Sequence, residues 1–406
     1  MNGSWAFYWV QIIGHNKGVL TILWTLISGL LLLGVVSLEG SAIFSQIRLL
    51  SLSLLLMAVV VGFLMDSVKI AFIQFLMSLY ILLMTFGVLG LFEIALTEES
   101  ILGFVVVVTL ITSNLVHVLS TLLREMARGS FQYDAVNEAL KLNITPLLLS
   151  NLTTALGFLF AAWFNIDLMG LALVVMIGVL ISSLTLLSWL PLLLTSWLLE
   201  FRVGNSADRH GLSFMVIWLI KHTHSRWVLV GLNILLGLGL LVYGWKILDY
   251  FQEILWLFGL FFVLFLVFWQ GGLALINSWL NLTALLMTAA IMGYFIESHL
   301  MTMLVLMMPI GLIVDDGIHF FSRYSKAIKL LYAKPKDATL FAMASVGRPI
   351  WITSCVLVVG LSVLLFSHNE QVQVASLMTV LSIVVSTLMM LVFAPALLIS
   401  QQRFKE

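Results

Sequence analysis

Residues 301–321 read MTMLVLMMPIGLIVDDGIHFF. The run is mostly apolar apart from Asp315 and Asp316, and a helix needs about 20 such residues to cross a bilayer core of about 30 Å. An ionised carboxylate at the centre of a membrane helix costs about 2.5–3.5 kcal/mol. Two adjacent acids are therefore expected to face a cavity, to pair with polar groups or to titrate as part of function. The stretch predicts a membrane-spanning helix with a functional acid pair.

The rest of the chain has the same apolar character. Of its 406 residues 62% are hydrophobic and 9% charged, with a mean hydropathy of +1.15. So few charges cannot cover the surface of a water-soluble fold, and a formal net charge of zero gives no basic footprint for nucleic acid. A single cysteine, Cys355, excludes a disulfide framework and a cysteine-rich metal site. The composition predicts an all-α polytopic membrane protein.

Windows of the length of a span predict about twelve transmembrane helices. Long uninterrupted apolar runs favour helices over a transmembrane barrel, whose segments are short and alternating. The predicted spans lie near 18–37, 47–65, 70–92, 101–122, 144–163, 169–198, 226–246, 254–270, 274–295, 301–321, 350–366 and 373–399.

The basic residues predict the orientation of these spans. With the N-terminus in the cytoplasm, only Arg48 and Lys246 of the 19 Lys and Arg residues fall on the outer side. This distribution follows the positive-inside rule. We therefore expect a multi-pass protein of the cell inner membrane with both termini cytoplasmic.

The chain carries an internal duplication. His117, Pro146, Gly157 and Pro191 have counterparts 202 to 204 residues later, at His319, Pro349, Gly360 and Pro395. The pattern predicts a first six-helix repeat at 1–199, a cytoplasmic linker at 200–225 and a second six-helix repeat at 226–406. Six spans in each half give both repeats the same orientation, and a site is expected between them near the midplane.

The acid pair has a histidine one helical turn away. His319 follows Asp315 by four residues and Asp316 by three, so all three can share one face of a helix. This arrangement predicts a proton path. The alternative is a span that ends at Val314, which would place both acids at the membrane interface, and His319 alone could equally be a packed or interfacial histidine.

Several neutral polar residues on other spans are candidates to support the acids. The equivalent span of the first half has hydrogen-bonding groups instead of acids, and the last two spans carry hydroxyls that could face the carboxylates. Helix–helix packing is the alternative role, since hydroxyls and amides commonly join membrane helices. The predicted supporting residues are Ser113, Asn114, His117, Thr353, Ser354, Ser382 and Ser386.

Known catalytic motifs are absent from the sequence. It contains no H-E-x-x-H, no Walker A loop and no G-x-S-x-G elbow. No motif therefore supports a metalloprotease, ATPase or hydrolase activity. We expect no enzyme activity, no cofactor and no metal site.

Residues 311–324, GLIVDDGIHFFSRY, resemble the G-x-x-x-D-D-x-I-H-x-x-x-R-Y signature of the resistance–nodulation–division (RND) superfamily. The similarity is greatest to its MMPL and predicted-exporter branch, which is related to sterol-sensing-domain proteins. Residues 342–354 and the closing Ala-Pro-Ala-Leu-Leu at 394–398 continue the pattern. Gly311 is the glycine of the signature.

The resemblance implies a proton-driven exporter with twelve spans and hydrophobic or lipid-like cargo. Its proton-relay acids fall on Asp315 and Asp316, with His319 beside them. Ser113 and Asn114 occupy the relay positions of the other repeat without acids. The implied partners are protons and a lipid or hydrophobic small molecule.

The sequence departs from its relatives at two places. RND proteins insert a large extracytoplasmic domain after the first span of each half, whereas residues 37–49 and 248–253 are only short links here. A separate periplasmic partner could supply the missing part, cargo could move along grooves in the membrane, or the chain could be a shortened relative. A proton-coupled exporter or flippase is the leading hypothesis, and the alternative is a non-transporting lipid-sensing or scaffold module resembling a sterol-sensing domain.

Overall fold

The computed structural model describes residues 4–36, 47–94, 96–97, 99–197, 212–247, 251–269, 271–296, 303–330 and 333–400. Within these ranges the chain forms helices joined by short turns, with no β-strand, so the predicted all-α class is confirmed. Much of the predicted linker at 200–225, and most of the two short links, lie outside the described residues.

In the described part of the first half, one short helix is followed by six longer ones. They are α1 (Ser4–His15), α2 (Lys17–Val36), α3 (Ile47–Leu64), α4 (Val68–Leu91), α5 (Ser100–Ala127), α6 (Gln132–Phe164) and α7 (Met169–Ser196).

The second half repeats this order, and its last long helix is interrupted by a π-helical turn at Met389–Phe393. Its helices are α8 (Ser213–Lys221), α9 (Thr223–Ile247), α10 (Phe251–Phe268), α11 (Gly271–Phe295), α12 (Met303–Leu330), α13 (Pro335–Ser362), α14 (Glu370–Leu388) and α15 (Ala394–Ser400).

The number of spans agrees with the prediction. Among the described residues eleven helical segments are long and apolar enough to cross a membrane, and the shorter apolar segment Phe251–Val267 takes the place of the twelfth. The protein is therefore a multi-pass helical membrane protein.

Local sequence signals set several of the helix starts. Ser67 caps α4 by accepting a hydrogen bond from the Ile70 amide, and Asn369 caps α14 by accepting one from Val372. Pro335 is the first residue of α13, a position that needs no amide donor. These starts leave the apolar run of each helix free to pack or to face lipid.

Helices α5 and α12 occupy the centre of the molecule. Every residue in the most apolar window of each is buried, whereas only 6% of the α2 window is buried. Helix α12 packs against α6 of the first half, and α5 packs against α13 of the second half. The side chains on the facing sides of α5 and α12 are therefore shielded from lipid.

Two details of the connections differ from the sequence reading. The hydrophobic pattern within 124–143 predicts an amphipathic helix on the membrane surface, with a solvated connector as the alternative. Instead, residues 124–127 end α5 and residues 132–143 form the first turns of α6, with Ala135 and Val136 buried in the bundle. Span ten does not stop before Arg323, because α12 continues to Leu330 and Arg323 is buried. Both differences arise because neighbouring helices cover these turns, which hydropathy windows do not register.

The contact between α2 and α4 depends on two glycines. A Cβ on Gly87 would overlap the Leu31 carbonyl oxygen, and one on Gly34 would overlap the Gly87 carbonyl oxygen. We expect Gly87→Ala to force the helices apart and to lower the free energy of unfolding by about 1–3 kcal/mol, measured by thermal unfolding in detergent.

Gly29→Ala is the matched control, because a Cβ at Gly29 on α2 would meet nothing within 4 Å. Alanine is favoured over glycine in a helix by up to about 1 kcal/mol, so this variant should unfold at the same temperature as the wild type or higher. Equal unfolding temperatures for Gly87→Ala and Gly29→Ala would show that the close approach of α2 and α4 does not depend on Gly87.

Candidate functional site

Asp315 lies on α12 at the contact with α5. Its side chain is almost fully buried, and Ser113 Oγ donates a hydrogen bond to Asp315 Oδ2 at 2.6 Å. His319 Nε2, one turn along α12, lies 3.6 Å from Asp315 Oδ1. Oδ1 has no hydrogen-bond partner among the described residues. Asp315 therefore keeps an open acceptor next to an imidazole.

Asp316 points to a different side of α12, towards α13 and α14, where three hydroxyls lie within reach of its carboxyl group. Ser354 Oγ lies 3.2 Å and Thr387 Oγ1 3.4 Å from Asp316 Oδ2, and Thr353 Oγ1 lies 3.5 Å from Oδ1. Ser354 and Thr387 are also 2.7 Å apart. We call Thr353, Ser354 and Thr387 the hydroxyl cradle.

Each hydroxyl of the cradle has a second acceptor on its own helix. Ser354 Oγ lies 2.7 Å from the Ile350 carbonyl oxygen, and Thr387 Oγ1 lies 2.7 Å from that of Ile383. Thr353 likewise reaches the Ile350 oxygen at 2.9 Å. Because a hydroxyl has one proton, it can donate to the carboxylate or to the backbone, but not to both. The cradle can therefore respond to the protonation state of Asp316 by turning its hydroxyls.

The first half contains an uncharged counterpart of this network. Asn114 Nδ2 donates to Asn151 Oδ1 at 2.9 Å, and Asn151 Nδ2 donates to Ser183 Oγ at 2.8 Å. The three positions precede Asp316, Ser354 and Thr387 by 202, 203 and 204 residues. Asn114 therefore binds within its own half and does not reach the acids.

The facing sides of α5 and α12 meet at three successive turns. In each contact the two residues differ in number by 202, the spacing of the duplication. The pairs are Ser113 with Asp315, His117 with His319, and Thr121 with Arg323.

The middle pair is a stack of two imidazoles, which we call the histidine stack. The ring centroids of His117 and His319 are 3.7 Å apart and the ring planes differ by 2°. With Asp315 they place one potential ligand atom each within 4.8 Å of one another. Imidazole binds a metal in the plane of its ring, and an ion in the plane of one stacked ring lies outside the plane of the other. One ring would have to turn before both could bind a metal ion.

A buried guanidinium lies one turn beyond the histidine stack. Arg323 is 1% exposed, and its Nη2 donates to Asn143 Oδ1 at 2.8 Å and to Thr121 Oγ1 at 3.3 Å. On the other side, Arg124 Nη1 donates to the Ser345 carbonyl oxygen at 3.0 Å. Each arginine joins the central helix of one half to the helix that follows the central helix of the other half.

The remaining predicted residues lie near the acids without contacting them. Ser386 Oγ lies 3.0 Å from Asn281 Oδ1 and 3.1 Å from the Ile313 carbonyl oxygen, whereas Ser382 Oγ is buried without a hydrogen-bond partner among the described residues. At Gly311 a Cβ would lie 3.2 Å from Thr154 Cα, and Thr154 Oγ1 donates to the Gly311 oxygen at 2.6 Å. Gly311 thus lets α12 approach α6 closely.

Sequence reasoning did not single out Asn151, Ser183 and Asn143, and it placed Arg323, a residue of the signature, beyond the end of its span. Neutral polar residues inside helices are ordinary packing groups, so nothing local marks them. The duplication is the signal that could have found two of them, because Asn151 and Ser183 fall at the counterparts of Ser354 and Thr387.

Residues 255–405 match the MMPL family. No curated protein matches the chain. Among solved structures, SecDF, a translocon-associated membrane protein from Thermus thermophilus, is similar with a TM-score of 0.71 at 14% identity, over 89% of this chain and 62% of SecDF. The hedgehog release protein Disp from the water bear Hypsibius dujardini is similar with a TM-score of 0.66 at 9% identity, over 92% of this chain and 71% of Disp.

A second structure of SecDF, in its super-membrane-facing form, has a TM-score of 0.65 at 14% identity and covers 90% of this chain. The chain spans 62% of the length of each SecDF chain that it matches. At these identities the structures show a shared fold. The resemblance to the MMPL family is confirmed over residues 255–405, and the helices share the fold of SecDF and Disp.

Proposed function

We propose that this protein is a proton-coupled transporter that exports or flips hydrophobic or lipid-like molecules across the cell inner membrane. The observation that carries the proposal is the setting of Asp316. This carboxyl is buried at the centre of the bundle, within reach of three hydroxyls that each have an alternative backbone acceptor. Acids so placed are rare in membrane proteins, and they commonly mark proton relays and ion pathways.

Protonation of Asp316 would change the contacts between three helices. The ionised carboxylate accepts hydrogen bonds from the hydroxyl cradle and holds α12 to α13 and α14. The neutral carboxyl needs fewer donors, and the hydroxyls then turn to their own backbone carbonyls. This difference in interaction free energy between two states is what a proton-driven switch requires. Asp315, with its open Oδ1 beside His319, is the second relay acid.

The fold and the family support the cargo and the location that we propose. MMPL and RND relatives make a membrane transporter-like role the first choice for this fold, and we place the protein in the inner membrane with both termini cytoplasmic. Because residues 37–49 and 248–253 are short, we propose that cargo moves along lipid-facing grooves or that a separate periplasmic partner receives it. No catalytic step is part of this proposal.

One observation favours a second candidate. The first half holds only the neutral chain of Asn114, Asn151 and Ser183 where the second half holds Asp316 and its cradle. A non-transporting lipid-sensing or scaffold module would need no charge in either half. Such a module would bind lipid without moving protons.

Proton flux in vesicles separates the two candidates. The full chain is reconstituted into phosphatidylethanolamine–phosphatidylglycerol vesicles that contain an internal pH dye and a fluorescent phospholipid in one leaflet. A transporter should exchange the labelled lipid between leaflets and move protons when a pH gradient is imposed. Lipid binding with no gradient-dependent flux of protons or lipid would refute the transporter and leave the sensor.

A further inference from the structure

The histidine stack is an unsatisfied polar cluster inside the bundle. His117 is 1% and His319 0% exposed. None of their four ring nitrogens has a hydrogen-bond partner among the described residues, and the same holds for Asp315 Oδ1. Buried polar atoms without partners are few in folded proteins, and each needs an explanation such as water, an ion or a proton-transfer role.

The geometry of the stack favours a proton over a metal ion as its occupant. A metal that bound both imidazoles would need their lone pairs to converge, and parallel stacked rings do not converge. A proton needs a single lone pair. The candidate ligand atoms of His117, His319 and Asp315 all lie within 4.8 Å of one another, a separation that one water molecule can bridge with two hydrogen bonds.

We propose that His117, His319 and Asp315 form one proton-exchanging unit, in which at most one of the two imidazoles is an imidazolium at a time. This inference rests on the proposed proton coupling and adds His117, from the half without acids, as a further carrier. In the exchange the O–H bond of the Asp315 carboxyl breaks and an N–H bond forms on an imidazole. The products are a carboxylate and an imidazolium, so charge and atoms balance.

The limit of one imidazolium follows from the surroundings of the stack. Two imidazolium rings 3.7 Å apart would repel strongly in an interior of low dielectric constant. Asp315 is the carboxylate next to the stack and Arg323 is the neighbouring cation, and the charges of Arg124, Glu125 and Glu138 act on Arg323 in turn. Asp315 can compensate one imidazolium, and the guanidinium opposes a second.

Histidine NMR in bilayers tests this inference directly. The full chain, labelled with ¹⁵N-histidine, is reconstituted in the same vesicles and titrated from about pH 4.5 to pH 9. Ring nitrogen shifts separate imidazole from imidazolium, and His117→Phe and His319→Phe assign the two signals among the eight histidines. We expect one imidazolium in the stack at low pH. Two charged rings, or none at any pH, would overturn the proposal.

The flux assay gives an independent readout. His117→Phe keeps a stacked ring but removes both nitrogens, and His117→Gln serves as a second variant if the first unfolds. We expect proton flux to fall at least ten-fold in His117→Phe, and flux within two-fold of the wild type would refute the role of His117. Absence of flux in the wild type itself would instead refute the proposed function, whatever the NMR shows.

Discussion

Asp316→Asn is expected to abolish proton-driven flux, and the double variant with Asp315→Asn is expected to do the same. The amide is close in size and shape to the carboxyl group but cannot take up or release a proton between pH 4 and 10. The first half shows that an amide suits this setting, because Asn114 at the equivalent position is buried and hydrogen-bonded to Asn151. The variants should therefore fold while losing coupling.

The measurement is the pH-dye signal in vesicles, with unfolding temperature as the check on folding. Asp337→Asn is the control, because Asp337 is an exposed carboxyl in the first turn of α13 and should leave flux within two-fold of the wild type. Removing a buried charge is expected to keep the unfolding temperature of Asp316→Asn equal or to raise it. Wild-type proton flux in the double variant would show that Asp315 and Asp316 do not form a proton relay.

Asn143→Leu is expected to be strongly destabilising, by about 1.5–3 kcal/mol, the range for hydrogen bonds to charged groups. Asn143 Oδ1 accepts the 2.8 Å hydrogen bond from Arg323, and its Nδ2 donates to Thr121. Leucine would leave a buried guanidinium with only the 3.3 Å contact to Thr121 among the described residues. Thermal unfolding in detergent should show a decrease of several degrees.

Asn137→Leu is the matched control on the same helix. Asn137 is also buried, but neither of its side-chain polar atoms has a hydrogen-bond partner among the described residues, so leucine there should be neutral or stabilising. Arg323→Met added to Asn143→Leu should restore part of the lost stability, because the buried guanidinium without a hydrogen-bond partner on α6 is then removed. If both leucine variants unfold at the same temperature, Asn143 does not compensate Arg323.

The sequence predicted two kinds of feature: charged residues inside apolar spans, where burial costs free energy, and residues that recur at a constant offset in both halves. Asp315 and Asp316 stand out because charges are rare in spans, and the offset of about 202 residues aligns the two halves. Arg323 was assigned to the basic cluster outside the membrane because positive charge there is common. Only the packing of α6 and α5 around α12 shows that Arg323 is buried, and a single sequence does not contain that information.

The sequence also could not predict which neighbouring helix each polar side chain contacts. Asp315 and Asp316 are adjacent, so they point about 100° apart around α12, one towards the first half and one towards α13 and α14. Helical spacing predicts that divergence but not which neighbour each acid meets. Asn114 illustrates the difference, since it was expected near the acids and instead binds Asn151.

The pairing of equivalent positions between α5 and α12 bears on the origin of the chain. In a dimer of two identical six-helix chains, this geometry would set each such residue against its own copy. Two aspartates or two arginines in contact would repel without water to screen them, whereas two neutral imidazoles can stack. Joining both copies in one gene removes that restriction, because each copy can then mutate independently. Fusion thus allows Asp315 to lie against Ser113 and Arg323 to lie against Thr121. The pair of His117 and His319 is the one of the three in which both positions still carry the same residue.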